Sequence, residues 1–126
     1  MSFSNFLETE ILDHVFGGNA YSAPGTLYLG LYTAAPSDTG GGTELSGSGY
    51  ARLPMAMTVS GNTATNSAAE EFATATGSWG TITHVGVFDA ATSGNMLAYG
   101  ALSASKTVDT GDVFRIPAGD LDITLD

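Results

Sequence analysis

A chain of 126 residues is long enough for one domain that buries roughly two thirds of its unfolded surface. It holds no cysteine, which excludes disulfides, thiol nucleophiles and Cys-rich zinc sites and leaves stability to packing or assembly. Thirteen Asp and Glu stand against Arg52, Lys106 and Arg115 alone, a formal net charge of −10. Three scattered cations cannot offset a phosphate backbone or an anionic bilayer, so nucleic acid and membrane are not expected partners. A strongly acidic surface instead suits the solvent side of an assembly.

The N-terminus lacks the basic and apolar regions of a signal peptide, and no run approaches the roughly eighteen apolar residues of a membrane span, so a soluble chain without an export signal is expected. The first element is helical: Leu7, Ile11, Leu12, Val15 and Phe16 share one face and Thr9, Glu10, Asp13 and His14 the other. The spacing predicts a helix over 6–16, with Asn5 as N-cap, Glu8 completing a capping box and Gly17-Gly18 as the stop. Phe3 and Phe6 add more apolar surface than three turns need for one docking stripe. Residues 1–18 therefore read as an amphipathic arm that caps the body or docks on a neighbour.

From residue 19 to 126 the period becomes two, and short strands alternate with Gly, Ser, Thr, Asn and Asp clusters. Leu27, Leu29 and Leu31 make one apolar face, and Ala51, Leu53, Met55, Met57 and Val59 another. Residues 34–49 carry Gly40, Gly41 and Gly42 and form a long loop, the first candidate for an assembly contact. Residues 60–78 have room for two short edge strands. Residues 81–88 and 95–102 are apolar on both faces and read as a central hairpin joined by the turn from Asp89 to Asn95. In the last strand Leu121, Ile123 and Leu125 face in, while Asp120, Asp122, Thr124 and Asp126 face out. The fold expected is an all-β, antiparallel, jelly-roll-like sandwich with one short N-terminal helix.

Candidate chemistry is sparse. Asp38-Thr39-Gly40 and Asp109-Thr110-Gly111 repeat a triplet found around aspartic-protease carboxylates, but Asp, Thr and Gly are ordinary turn residues, and Asp112 crowds the second copy. His14 is placed to pair with Glu10 one turn earlier, and His84 to be a hydrogen-bonded core histidine. The glycine loop lacks the lysine of a phosphate-binding loop. Asp120, Asp122 and Asp126 could offer oxygens to calcium, yet without EF-hand spacing a solvated edge is expected. No catalytic residue, cofactor or metal site is expected, and the chain reads as a non-enzyme.

Three stretches carry a resemblance. Leu29 to Pro36 reads L-x-L-x-T-x-x-P, Gly47 to Arg52 reads G-x-x-Y-x-R, and Trp79 to Ala90 reads W-G-x-x-x-x-x-G-x-x-D-A. In this order they resemble a family of small bacteriophage virion proteins, over most of the chain. The resemblance implies a structural component of the virion. Its first reading is a capsid decoration or cement protein, a homotrimer that clamps the major capsid protein on the outer capsid surface. A tail or head-fibre base module comes second. A carbohydrate-binding module for host recognition comes third and needs exposed aromatics, for which Tyr21, Tyr28 and Tyr32 are the local cluster.

The assembly interface is then expected at Phe3, Phe6, Leu7, Ile11 and Val15 of the arm and Asp38, Gly40, Gly41, Gly42 and Glu44 of the loop. Tyr50, Arg52, Trp79, Gly86 and Asp89 belong to the motifs and read as structural. Tyr50 and Trp79 stand at strand starts where rings close the end of a sandwich. Gly86 and Gly100 let Trp79 or Tyr99 approach a strand closely.

Overall fold

The computed structural model describes residues 1–125; Asp126, one of the three carboxylates considered for calcium, lies outside them. The chain runs β1 (Ser2–Phe3), α1 (Asn5–Leu12), β2 (Leu27–Ala34), β3 (Thr43–Glu44), β4 (Leu53–Met55), β5 (Met57–Ser60), β6 (Thr63–Asn66), β7 (Glu70–Glu71), β8 (Gly80–Phe88), β9 (Met96–Val108), β10 (Arg115–Ile116) and β11 (Asp122–Thr124). Every strand pairing is antiparallel. The all-β class with one short helix is what the structure shows.

The helix differs from the expectation at both ends. Its N-cap is Ser4, whose Oγ accepts from the Leu7 N–H and donates to the Met96 carbonyl at 2.5 Å. Anchorage to β9 thus selects Ser4 over Asn5, and Glu8 falls outside a capping box. After Leu12 the chain widens into one π turn, Asp13–Gly17, which Gly18 closes at φ 78°. Asp13 Oδ1 lies where a Cβ on Gly17 would sit and accepts from Asn19, so a side chain there would push the Asp13 carboxylate off this contact. His14 does not take the role expected of it with Glu10: its Nδ1 accepts the Tyr21 N–H at 3.0 Å.

The sandwich has unequal layers. A large sheet runs β1-β9-β8-β2-β3, with β4 on the same edge of β2 as β3, and is faced by β11-β6-β5 and the pair β10-β7. One face of the large sheet contributes Leu29, Leu31, Val85, Val87 and Ala98, with Trp79 just before β8, and the chain around the smaller strands contributes Phe72, Phe114, Ile116 and Leu121. Period-two burial of these side chains is the main stabilising term. The hairpin expected over 81–102 is present as β8 and β9, and Asp89 closes its turn by accepting from the backbone and side chain of Asn95. β9 outruns its expected end because Leu102–Ser105 bulge opposite Thr83 before pairing resumes at Lys106.

The stretch 51–59 is two strands rather than one. Leu53–Met55 pairs with β2 in the large sheet, and Met57–Ser60 pairs with β6 in the small one. Pro54 forms no ladder donor and so suits the edge position of β4, and the chain changes layers at Ala56. Residues 60–78 hold two short strands, β6 and β7, but β6 is not the expected edge strand: it lies between β11 and β5. Asn66 fastens this region: fully buried, it donates to the Ala68 and Pro117 carbonyls and accepts from Leu121 N.

Glu70 of β7 is only 5 % exposed, and burial raises its carboxyl above the ordinary value near 4.5. The folded chain therefore holds this proton more tightly than the unfolded chain does. The stabilisation is complete below the ordinary value and is lost as pH rises through the raised one. Glu70→Gln is expected to raise the melting temperature at neutral pH, with the difference shrinking as the pH falls below the ordinary carboxyl range. Thermal unfolding of both proteins across that range checks it.

Candidate assembly surface

The outer face of the large sheet carries a polar lock. Gly30 and Gly86 stand opposite each other in the β2–β8 ladder. A Cβ on Gly86 would meet the rings of Phe88 and Tyr32 at 3.0 and 3.1 Å, so these glycines let the two rings lie close against the sheet. Those rings, stacked with centroids 6.4 Å apart, replace Trp79 and Tyr99 as the expected partners of Gly86, because Trp79 belongs to the core on the opposite face. Gly100 is likewise covered by Met1, not by a ring.

Over Phe88 sits Arg52, its guanidinium 3.5 Å from the ring centroid. Nε and Nη2 fork onto Glu44 at 2.9 and 2.8 Å, and Nη1 donates to the Ala90 and Ser93 carbonyls of the hairpin turn. Tyr50 donates to Glu44 Oε2 and accepts the Leu31 N–H, and burial pushes its hydroxyl far above its ordinary pKa. The hydrogen bonds to Glu44 hold Arg52 more firmly protonated than usual. Tyr50 and Arg52, residues read from the sequence as structural, thus meet at Glu44, a residue of the expected loop interface, while Asp89 braces the hairpin turn whose carbonyls Arg52 holds.

The glycine loop is tied down. Ser37 and Gly40 exchange backbone hydrogen bonds, Asn5 N–H donates to the Asp38 carbonyl, and the Tyr99 hydroxyl donates to the Asp38 side chain. Gly40, Gly41 and Gly42 all have positive φ, and a Cβ on Gly42 would collide with the Ala34 carbonyl oxygen at 2.7 Å. Asp38 is thereby engaged in a different turn from Asp109, whose backbone N–H donates to Asp112. His84 is half-buried with Nδ1 2.8 Å from Thr83 Oγ1. Among the described residues no group of three His, Cys, Asp or Glu is placed to hold a metal. Tyr32 is buried, Tyr28 half-buried, and Tyr21 packs edge-on to Phe6, so the three tyrosines form no exposed platform.

The arm divides into two parts. Phe3 packs against the core and Phe6, Leu7 and Ile11 are half-buried, but Leu12, Val15 and Phe16 are 59, 59 and 81 % exposed. Next to the root of the arm lies an apolar groove of about 400 Å³, walled by Phe3, Leu7, Leu27, Val59, Ile123 and Leu125. Among the described residues no charged side chain lines it. Six large apolar side chains are exposed among the described residues, and five of them belong to the arm tip or to the groove wall, Val113 being the sixth. The helical period pointed to the tip; nothing local signalled the groove, whose lining comes from eight elements of the fold.

These features define a structural β-module whose exposed apolar surface lies mainly on the arm tip and along the groove beside the arm's root. The model of the family described as Podophage GP4 fiber I protein gp80 matches residues 2–124, so the chain belongs to this family and is a structural protein of the bacteriophage virion. No curated protein matches the chain.

Proposed function

We propose that the protein is a non-enzymatic fibre component of the virion, joined to the particle and to neighbouring subunits by protein contacts. The observation that supports this reading is the reach of the fibre family's model, which spans residues 2–124. The site geometry agrees with it. The polar network around Arg52 and Glu44 is closed by its own hydrogen bonds, and its Tyr50 is held protonated at working pH, so it braces loops and offers no poised acid or base. Protein partners also fit the charge: Arg52 is committed to Glu44, leaving Lys106 and Arg115 as the other cations against a net charge of −10.

A second reading, a decoration protein that binds the major capsid protein on the outer capsid surface, draws support from the exposed arm tip on an acidic body. Gold-labelled antibody on intact particles, with copy number from quantitative mass spectrometry, separates the two. A fibre component is expected at discrete appendages in few copies. Label spread evenly over the whole head would transfer the assignment to decoration, and label absent from purified particles would refute both.

A further inference from the structure

We propose that the arm tip of one copy, Leu12, Val15 and Phe16, docks in the apolar groove of a second copy. The tip and the groove are two halves of one chain's exposed apolar surface, and together they hold all its large exposed apolar side chains among the described residues except Val113. A groove of about 400 Å³ lies in the range, roughly 300–1,000 Å³, that accepts a few side chains or a small ligand.

The tip does not fill the groove of its own chain. None of Leu12, Val15 and Phe16 lines it, whereas Phe3 and Leu7, at the root of the same arm, do. At about 1.5 Å of rise per residue, Phe16 stands roughly 13 Å beyond Leu7 along the arm.

Charge restricts how two copies can meet. Each carries −10, so most approaches are repulsive, and a groove with no charged side chain among its described lining residues is where a second copy's apolar tip meets the fewest opposing carboxylates. Area decides the form of the contact. An aromatic buries roughly 150–250 Å² and the exposed parts of Leu12 and Val15 about half of that each, so one arm tip in one groove covers on the order of 500 Å² with the groove wall included, well below a stable interface. Reciprocal exchange, with each arm in the other's groove, doubles this to about 1,000 Å², the lower end for a specific two-fold contact and the range of a weak, reversible one.

This contact deepens the fibre reading and rests on it for its place in the virion, but it is testable on the purified chain. Sedimentation velocity is expected to show a reversible dimer. Phe16→Asp, at an 81 % exposed position, and Val59→Glu, at a 71 % exposed one, should each keep the β-type circular dichroism of the parent and weaken association roughly ten- to a hundredfold. Mixing the two variants should restore part of the association, since the mixed pair keeps one intact arm and one intact groove. A parent that stays monomeric at the highest attainable concentration, or a Phe16→Asp chain that associates as the parent does, would overturn the proposal. Association that fails while antibody still labels fibres on the particle refutes only this contact; association without any label on the particle refutes only the fibre reading.

Discussion

Replacing Arg52 by alanine is expected to cost on the order of 3 kcal/mol of folding stability and to lower the melting temperature by roughly 10 °C. The loss has three sources. The Glu44 carboxylate, 23 % exposed, is left without its cation next to the raised Tyr50 hydroxyl. The Ala90 and Ser93 carbonyls lose the donor that holds the hairpin turn, and Phe88 loses the guanidinium over its ring. Arg52→Lys should recover less than half of this, since an ammonium cannot fork onto both carboxylate oxygens while also reaching two carbonyls and covering a ring. Pairing Arg52→Met with Glu44→Gln should recover more, because it removes the stranded charge and keeps an acceptor for Tyr50. Denaturant unfolding of the four proteins reads these differences. A loss below about 1 kcal/mol for the alanine variant would mean that water replaces the cation freely and that the pair behaves as a surface bridge.

Trp79→Ala is the second large effect, with an expected loss of about 3–5 kcal/mol, a substantial part of the roughly 5–15 kcal/mol that holds a domain folded. Trp79 is 5 % exposed and stands edge-on to Tyr50 at 5.7 Å and to Phe72 at 6.4 Å, while Phe72 in turn meets Phe114. Its removal opens a hole between two rings, Tyr50 and Phe72, from separate parts of the chain, and such a site collapses poorly. The indole N–H also donates to the Ser48 carbonyl at 2.8 Å. That carbonyl keeps a second donor, Thr76 N–H, so Trp79→Phe leaves no orphaned acceptor and should cost clearly less than the alanine change. The midpoint of urea unfolding checks the order parent, phenylalanine, alanine. Equal losses for the two variants would show that the hydrogen bond, not ring packing, dominates at this position.

Local patterns in the sequence carried much of the architecture. A 3.6-residue period in residues 7–16 announced the helix, alternation announced the strand in which Leu29 and Leu31 face the core, and a run apolar on both faces announced the central strand of Val85 and Val87. The turn chemistry of Asp89 to Asn95 announced the hairpin. These features are legible because each is set by neighbours within one segment: a helix face or a strand face repeats at a fixed spacing whatever lies across from it.

Long-range pairing settled the rest. Ser4 became the N-cap because the Met96 carbonyl lies within reach of its hydroxyl, a contact across 92 positions of the chain. The apolar alternation of 51–59 could not reveal that its first half pairs with β2 and its second with β6, since both halves keep the same period. Gly86 read correctly as a place of close approach, but sheet register, not spacing, decided that Tyr32 and Phe88 are the rings that approach. Glu44 looked like a free loop carboxylate until Arg52 was brought onto it.

The arm and the groove show the same division. Composition and helical period were sufficient to place surplus apolar surface on the N-terminal arm, because an exposed stripe is a property of one helix. The groove that would receive it needs Phe3 and Leu7 beside Leu27, Val59, Ile123 and Leu125, side chains that no periodicity connects. Only the packing of the small sheet against the large one brings them into a common wall, and that packing depends on the registers of several strand pairs at once.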